Sequence, residues 1–243
     1  MTGTIINSIT VFAGTLLGLL LGSRLSDNIR DTVLRGLGLV TLVIGIQMAF
    51  DTQNILIVLG SVLLGGILGE WWHIEDGLNS LGAWLETRFN RRGAGTQEDA
   101  TRFIRGFVTA SLLFCVGPMT ILGSIQDGLT GDYRLLAIKA MLDGFAALAF
   151  ASSLGIGVGF SILPILIIQG GISLLAVQTQ NFLTEAMILE LTATGGVLIM
   201  GLAISTLLEV RKIRVGNFLP ALIIAPLIVW VLTLLGLPVA PAF

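Results

Sequence analysis

Asp143 lies about nine residues into an apolar run that opens near Arg134, roughly 13 Å along a helix at ~1.5 Å per residue. That depth is close to the middle of a bilayer. A carboxylate there is costly unless it is paired, hydrated or protonated, and its chemistry would be to bind a cation, carry a proton or switch a gate. Lys139 stands one helical turn earlier on the same face. It offers a plainer reading, a structural i,i+4 ion pair, unless its ammonium snorkels to the interface and leaves Asp143 alone.

Two interrupted runs flank this carboxylate in sequence. Cys115-Val116-Gly117-Pro118 breaks the preceding one near its centre. Proline has no N–H to donate, so the carbonyl four residues before Pro118 is freed. Gln169-Gly170-Gly171, with Pro164 ahead of it, sits in the middle of the following run. The expectation there is a weakened helix with loosened carbonyls, tolerated at that depth only beside protein or a wet cavity; close helix packing with a kink is the alternative. Asn7 falls in the outer third of the first run and Gln47 near the outer end of the second. Each has hydrogen-bonding capacity for a polar solute, as do Thr192 and Thr194, although such groups also serve as interhelical glue. Glu190 and Glu70 fall near interfaces, where water can solvate them. Cys115 reads as a small packing residue.

The elements that must hold these residues are set by composition. The 243-residue chain is 54% hydrophobic and 12% charged, with a mean hydropathy of +0.95. Apolar runs of about 18–22 residues are long enough to cross the ~30 Å hydrocarbon core as helices, and they lack the period-two alternation of barrel strands. Eight spans are expected, at about 4–22, 33–50, 55–72, 103–126, 134–154, 159–179, 187–208 and 217–236. All but Arg134 and Lys139 of the thirteen Lys and Arg residues fall in or beside three gaps: Arg24 to Arg35, Arg88 to Arg105, and Arg211 to Arg214. With eight spans these gaps share one side, which the positive-inside rule makes cytoplasmic, and both termini lie outside. The stretch from Arg134 to Gln178 decides the count. Taken as one span it puts the last basic loop outside, whereas two spans joined at Gly155-Ile156-Gly157-Val158-Gly159 restore agreement. The first run has no basic residue before it and no small-residue cleavage site after it, so it reads as a retained helix.

Residues 74–90 differ. Ile74, Leu78, Leu81, Leu85 and Phe89 recur at helical spacing among charges and near Trp71, Trp72 and Trp84, the pattern of an amphipathic helix lying in the interface. Residues 91–102 read as a linker and 103–154 as two central helices. Shifting the chain by 156 residues brings Gly14 onto Gly170 and Gly45 onto Gly201; after a four-residue insertion Gly60 meets Pro220 and Gly66 meets Pro226. Residues 4–72 thus match 159–236, and with two spans between them the second unit is inverted, an arrangement found in many secondary transporters. The fold expected is a single all-α polytopic membrane domain.

The chain has one histidine, His73, with no second metal ligand nearby, and no phosphate-binding Gly-rich loop ending in Lys; neither a metal cofactor nor ATPase chemistry is expected. No serine or cysteine has an intramembrane histidine to activate it, so the chain reads as no enzyme. Topology explains the short basic loops better than nucleic acid does.

Four stretches carry a family likeness: Gly3-Thr4-Ile5-Ile6-Asn7; Leu37-Gly38-Leu39-Val40 leading to Gly45; Leu142-Asp143-Gly144-Phe145; and Gly155-Ile156-Gly157-Val158 leading to Ser161, Pro164 and Gln169-Gly170. Together they resemble the YdfK/YqgA-like family of bacterial inner-membrane proteins, the domain of unknown function numbered 554. The resemblance covers nearly the whole chain. It implies a small multi-pass protein of a kind described as a transporter without a defined substrate, and it supports Asn7, Asp143 and Gln169 as site residues without assigning roles.

The functional expectation is a secondary transporter of a small polar or ionic solute, coupled to H⁺ or Na⁺. Asp143, Gln169, Gly170, Gly171, Gly117 and Pro118 form its site, Asn7 and Gln47 contribute from the first repeat, and lipid and a second copy of the chain are the partners. The alternatives are an oligomeric channel and a non-transporting assembly or sensor protein.

Overall fold

The computed structural model describes residues 1–22, 26–89 and 97–240, and among these no strand occurs. Eleven α-helices follow one another: α1 (Thr2–Gly22), α2 (Asp27–Ala49), α3 (Ile55–Trp71), α4 (Ile74–Phe89), α5 (Gln97–Cys115), α6 (Pro118–Thr130), α7 (Arg134–Leu154), α8 (Ile162–Leu174), α9 (Ala176–Phe182), α10 (Glu185–Leu202) and α11 (Ala221–Leu234). A 3₁₀ turn, Gly155–Ser161, joins α7 to α8, and a π turn, Ala203–Leu207, extends α10. Five stretches are long and apolar enough to cross a membrane, or seven if the bent pairs α3–α4 and α5–α6 each count as one. Leucine and isoleucine side chains such as Ile5, Ile9, Leu16 and Leu20 point outward from α1, as they would toward acyl chains.

One of the five, Arg134–Leu174, is 41 residues long, about 60 Å of helix and twice the hydrocarbon thickness. It does not run straight. Its beginning packs on the start of α1, where a β-carbon on Gly3 would stand 2.5 Å from Leu136 Cβ, and its end returns there, with Gly170 beside Met1. Gly155 makes the turn. Its φ of +81° lies where L side chains rarely go, so a glycine is required.

Helix α1 runs parallel to α7. Gly14 faces Gly144, Gly18 faces Leu148, and Gly22 faces Ser152, each so closely that a β-carbon would fall 2.1–2.4 Å from a carbonyl oxygen. Between helices in lipid, packing replaces the hydrophobic effect as the main attraction, and small residues let backbones approach. Three other pairs run antiparallel. Along α1, Thr15 meets Gly159 of the 3₁₀ turn while Met1 meets Gly170 of α8. Along α2, Gly38 meets Leu207 of the π turn while Gly45 meets Gly196 of α10. Between α3 and α11, Gly60 meets Ile228 while Gly65 meets Ala221. Val11, Phe114, Ala147, Phe150, Val158 and Ile165 form the largest buried cluster, where α1, α5, α7 and α8 converge.

Several expectations change. Helix α2 starts at Asp27, ahead of the expected 33. Residues 97–101, expected in the linker, are helical, while 91–96 lie outside the described residues, as does Arg24. Helix α4 is present, bent 58° from α3 at His73, which takes a left-handed φ of 53°; the side chains of Leu81, Leu85 and Phe89 lie outside the description. Most important, α8 continues unbroken through Gly170 and Gly171. Two helical glycines lower stability without opening the ladder, because each still donates its N–H. The irregular backbone lies upstream, in the 3₁₀ turn.

The bend between α3 and α4 is clamped by residues 214–217. Arg214 donates to Glu70 (2.7 Å) and Asp76 (2.6 Å), Asn217 Nδ2 donates to Glu70 (2.5 Å), and Glu75 and residues 216–217 cap each other, Glu75 N to Asn217 Oδ1 and Gly216 N to Glu75 Oε2, both 2.7 Å.

Candidate functional site

The site starts from a missing hydrogen bond. Pro118 opens α6, Gly117 precedes it at φ +150°, and the helix axis bends by 61° between α5 and α6. The Phe114 carbonyl, four residues before the proline, therefore has no helical donor. Two side chains take its place. Thr120 Oγ1 donates to it at 3.2 Å, and Lys139 Nζ donates to it at 2.7 Å.

Lys139 does not snorkel. It is 6% exposed, and its ammonium also donates to Asp143 Oδ2 on the next turn of α7. Asn7 Nδ2, from α1, donates to the same carboxylate oxygen at 3.0 Å. Lys139 and Asp143 are both buried, and a charge pair so placed needs this many hydrogen bonds to be tolerated at all. The parallel contact of α1 with α7 delivers Asn7, and the break in α5–α6 delivers the carbonyl. Four elements, α1, α5, α6 and α7, thus meet at one ammonium–carboxylate pair.

The same helical core holds buried polar groups with no protein partner among the described residues. Gln169 is fully buried, and neither its oxygen nor its nitrogen has a partner among the described residues. It lies one turn after Ile165, which packs with Phe114 in the core, and one turn before Ser173, whose hydroxyl donates to the Ser124 carbonyl of α6 at 3.0 Å. Asn7 Oδ1 and the Thr4 hydroxyl are likewise buried and unpartnered. Buried polar atoms are nearly always satisfied by protein or ordered water, and these have no protein partner among the described residues.

The other candidates are placed as follows. Gly170 is buried against Met1 and Gly171 is partly exposed. Gly117 is buried, and Pro118 acts through its backbone. Gln47 is exposed on the outer face of α2 and does not join the group. Thr192 and Thr194 are buried with unpartnered hydroxyls, on α10.

Sequence reasoning misread one carboxylate and missed another. Glu190 is not solvated: it is fully buried and accepts from Thr52 Oγ1 (2.7 Å), Gln53 N (2.7 Å) and Asn54 N (3.0 Å), closing the α2–α3 connection. Asp127 is 3% exposed and accepts from Gly3 N at 3.0 Å. Both satisfy backbone donors at or just before a helix start, which the sequence marks only as acidic residues at span ends. Glu190→Leu should lower stability by about 1–3 kcal/mol, since the Gln53 and Asn54 N–H groups then lose their shared acceptor. Thermal unfolding in detergent checks this, and an unchanged midpoint would remove Glu190 from the structural set.

A cavity of about 730 Å³ opens at the end that carries the basic loops, lined by Asn79, Arg105, Thr109, Ser205, Glu209 and Lys212 among others. Arg105 and Glu209, both in its lining, pair at 2.5 Å, and the buried Thr109 hydroxyl at its wall has no partner among the described residues.

A family model described as a protein of unknown function, DUF554, matches residues 2–230. The chain belongs to this family. Asn7, Phe114, Lys139, Asp143 and Gln169 all fall within the matched segment. The chain is similar to the uncharacterized membrane protein YdfK of Bacillus subtilis, 30% identical over 241 residues that cover 98% of this chain and 99% of YdfK. It is also similar to the uncharacterized protein YqgA of Escherichia coli, 33% identical over 92% of this chain and 94% of YqgA. No solved structure matches it. The family, the apolar helices and the YdfK likeness together make this family member a membrane protein.

Proposed function

We propose that the protein is a secondary transporter of a small polar or ionic solute, with its site at the Lys139–Asp143 pair. The observation that carries the reading is the buried Lys139–Asp143 ion pair anchored on the carbonyl of a broken helix; the fully buried Gln169 carboxamide, unpartnered among the described residues, adds hydrogen-bonding capacity in the same helical core. Discontinuous helices with freed carbonyls near the midplane are the way many transporters build solute and ion sites. Counting the returning stretch Arg134–Leu174 as two crossings and each bent pair as one gives eight crossings. The basic loops then face the cytoplasm and both termini the outside of a bacterial inner membrane. The antiparallel pairs α1–α8, α2–α10 and α3–α11 support an inverted repeat of three-helix units. The reading involves no chemical conversion of the solute.

The test uses proteoliposomes loaded with a pH dye and exposed to ions, amino acids, polyamines, organic acids and nucleobases. One class should move protons in the wild type. Gln169→Leu should abolish that response and also raise the unfolding midpoint, because it removes an unsatisfied buried amide whose burial costs about 1–3 kcal/mol. Folded protein that moves neither protons nor, with a Na⁺ dye in place of the pH dye, Na⁺ with any solute, or a Gln169→Leu variant that responds like the wild type, would sink the reading.

A further inference from the structure

The ammonium of Lys139 is held entirely by oxygen: the Phe114 carbonyl at 2.7 Å and Asp143 Oδ2. A third oxygen, Asn7 Oδ1, belongs to a side chain already bonded to Asp143 and is itself buried without a partner. The carbonyl closes the C-terminal end of α5, where the helix dipole adds negative charge. One carboxylate, one freed carbonyl and one amide oxygen, with no other cation bonded to them among the described residues, are hard ligands of the kind that bind small cations.

We propose that these groups form a site for a small monovalent cation, an alkali ion or a primary ammonium, and that Lys139 is its built-in occupant. A cation from solution enters by displacing the tethered ammonium, which swings aside on its flexible four-carbon stem. The solute class of the transport reading is then a monovalent cation. That consequence rests on the transport reading; the site itself does not.

Lys139→Ala empties the site while leaving Asp143 in place. Its unfolding midpoint should be low in choline chloride, whose cation is too large, and should rise with the logarithm of Na⁺, K⁺ or methylammonium concentration at matched ionic strength, as mass action requires. The arm that responds separates an alkali-ion site from an ammonium site. Wild type should respond far less, and a Lys139→Ala/Asp143→Asn double variant not at all. A midpoint for Lys139→Ala that is the same in all four salts would overturn the proposal. So would failure of Lys139→Ala to fold in any of them while the double variant folds. Salt-dependent rescue with silent proteoliposomes would keep the site and discard transport; proton flux without rescue would do the reverse.

Discussion

Asp143→Leu and Lys139→Met, made singly, should each remove about 3–5 kcal/mol of stability, and the two together should return most of it. Breaking a buried pair leaves one uncompensated charge in a medium that cannot solvate it, whereas replacing both charges with apolar groups of similar volume is often neutral or better. The geometry sharpens the expectation. Without Asp143 the Lys139 ammonium keeps only the Phe114 carbonyl. Without Lys139 the carboxylate keeps only the Asn7 amide. In the double variant the carbonyl retains the Thr120 hydroxyl, and one amide is left without its acceptor. Size-exclusion recovery after stepwise heating in detergent, run on all four proteins, gives the coupling directly. Losses that simply add would mean that the two charges do not sense one another and that the site is misread.

The second large effect is steric. Gly14→Val should abolish folded protein, because the first atom beyond Cα would already stand 2.1 Å from the Gly144 carbonyl oxygen, far inside van der Waals contact. Overpacking usually costs about 1–3 kcal/mol when flexible side chains can give way. Here the obstacle is helical backbone, and α1 would have to leave α7, taking Asn7 from Asp143. Gly36 and Gly77 provide the contrast, with nothing within 4 Å of a β-carbon. Alanine there should be neutral or stabilising by about 0.5–1 kcal/mol, the ordinary helix preference over glycine. Membrane yield and monodispersity of the three variants would decide the matter. Normal Gly14→Val protein would show that the parallel α1–α7 contact is not part of the native state.

Much of this was legible in the chain because local rules govern it. Run length specified helices, Pro118 announced a freed carbonyl at Phe114, and the four-residue spacing of Lys139 and Asp143 announced a possible pair. The sequence also pointed to a turn at Gly155–Gly159, where the backbone reverses. What stayed hidden depends on partners far away in sequence. Asn7 reaches Asp143 across 136 positions and Glu190 reaches Thr52 across 138, and no periodicity reports such meetings. Gln47 and Gln169 look alike in sequence, yet one faces outward and the other is fully buried. The glycine pair at Gly170-Gly171 misled because glycine permits a break without requiring one, whereas a proline removes the donor outright.

The parallel pairing of α1 with α7 also bears on how the protein is made. Helix α1 leaves the ribosome first, but the backbone groove that receives its glycine face belongs to residues 136–152. Until that segment has been synthesised and inserted, Asn7 and the glycine stripe of α1 have no native neighbour on α7. Helix α1 therefore waits, without its α7 partner, while more than a hundred further residues are made. A nascent chain arrested before α7 should be recognised by membrane quality control as unassembled, and one arrested after Leu154 should escape it.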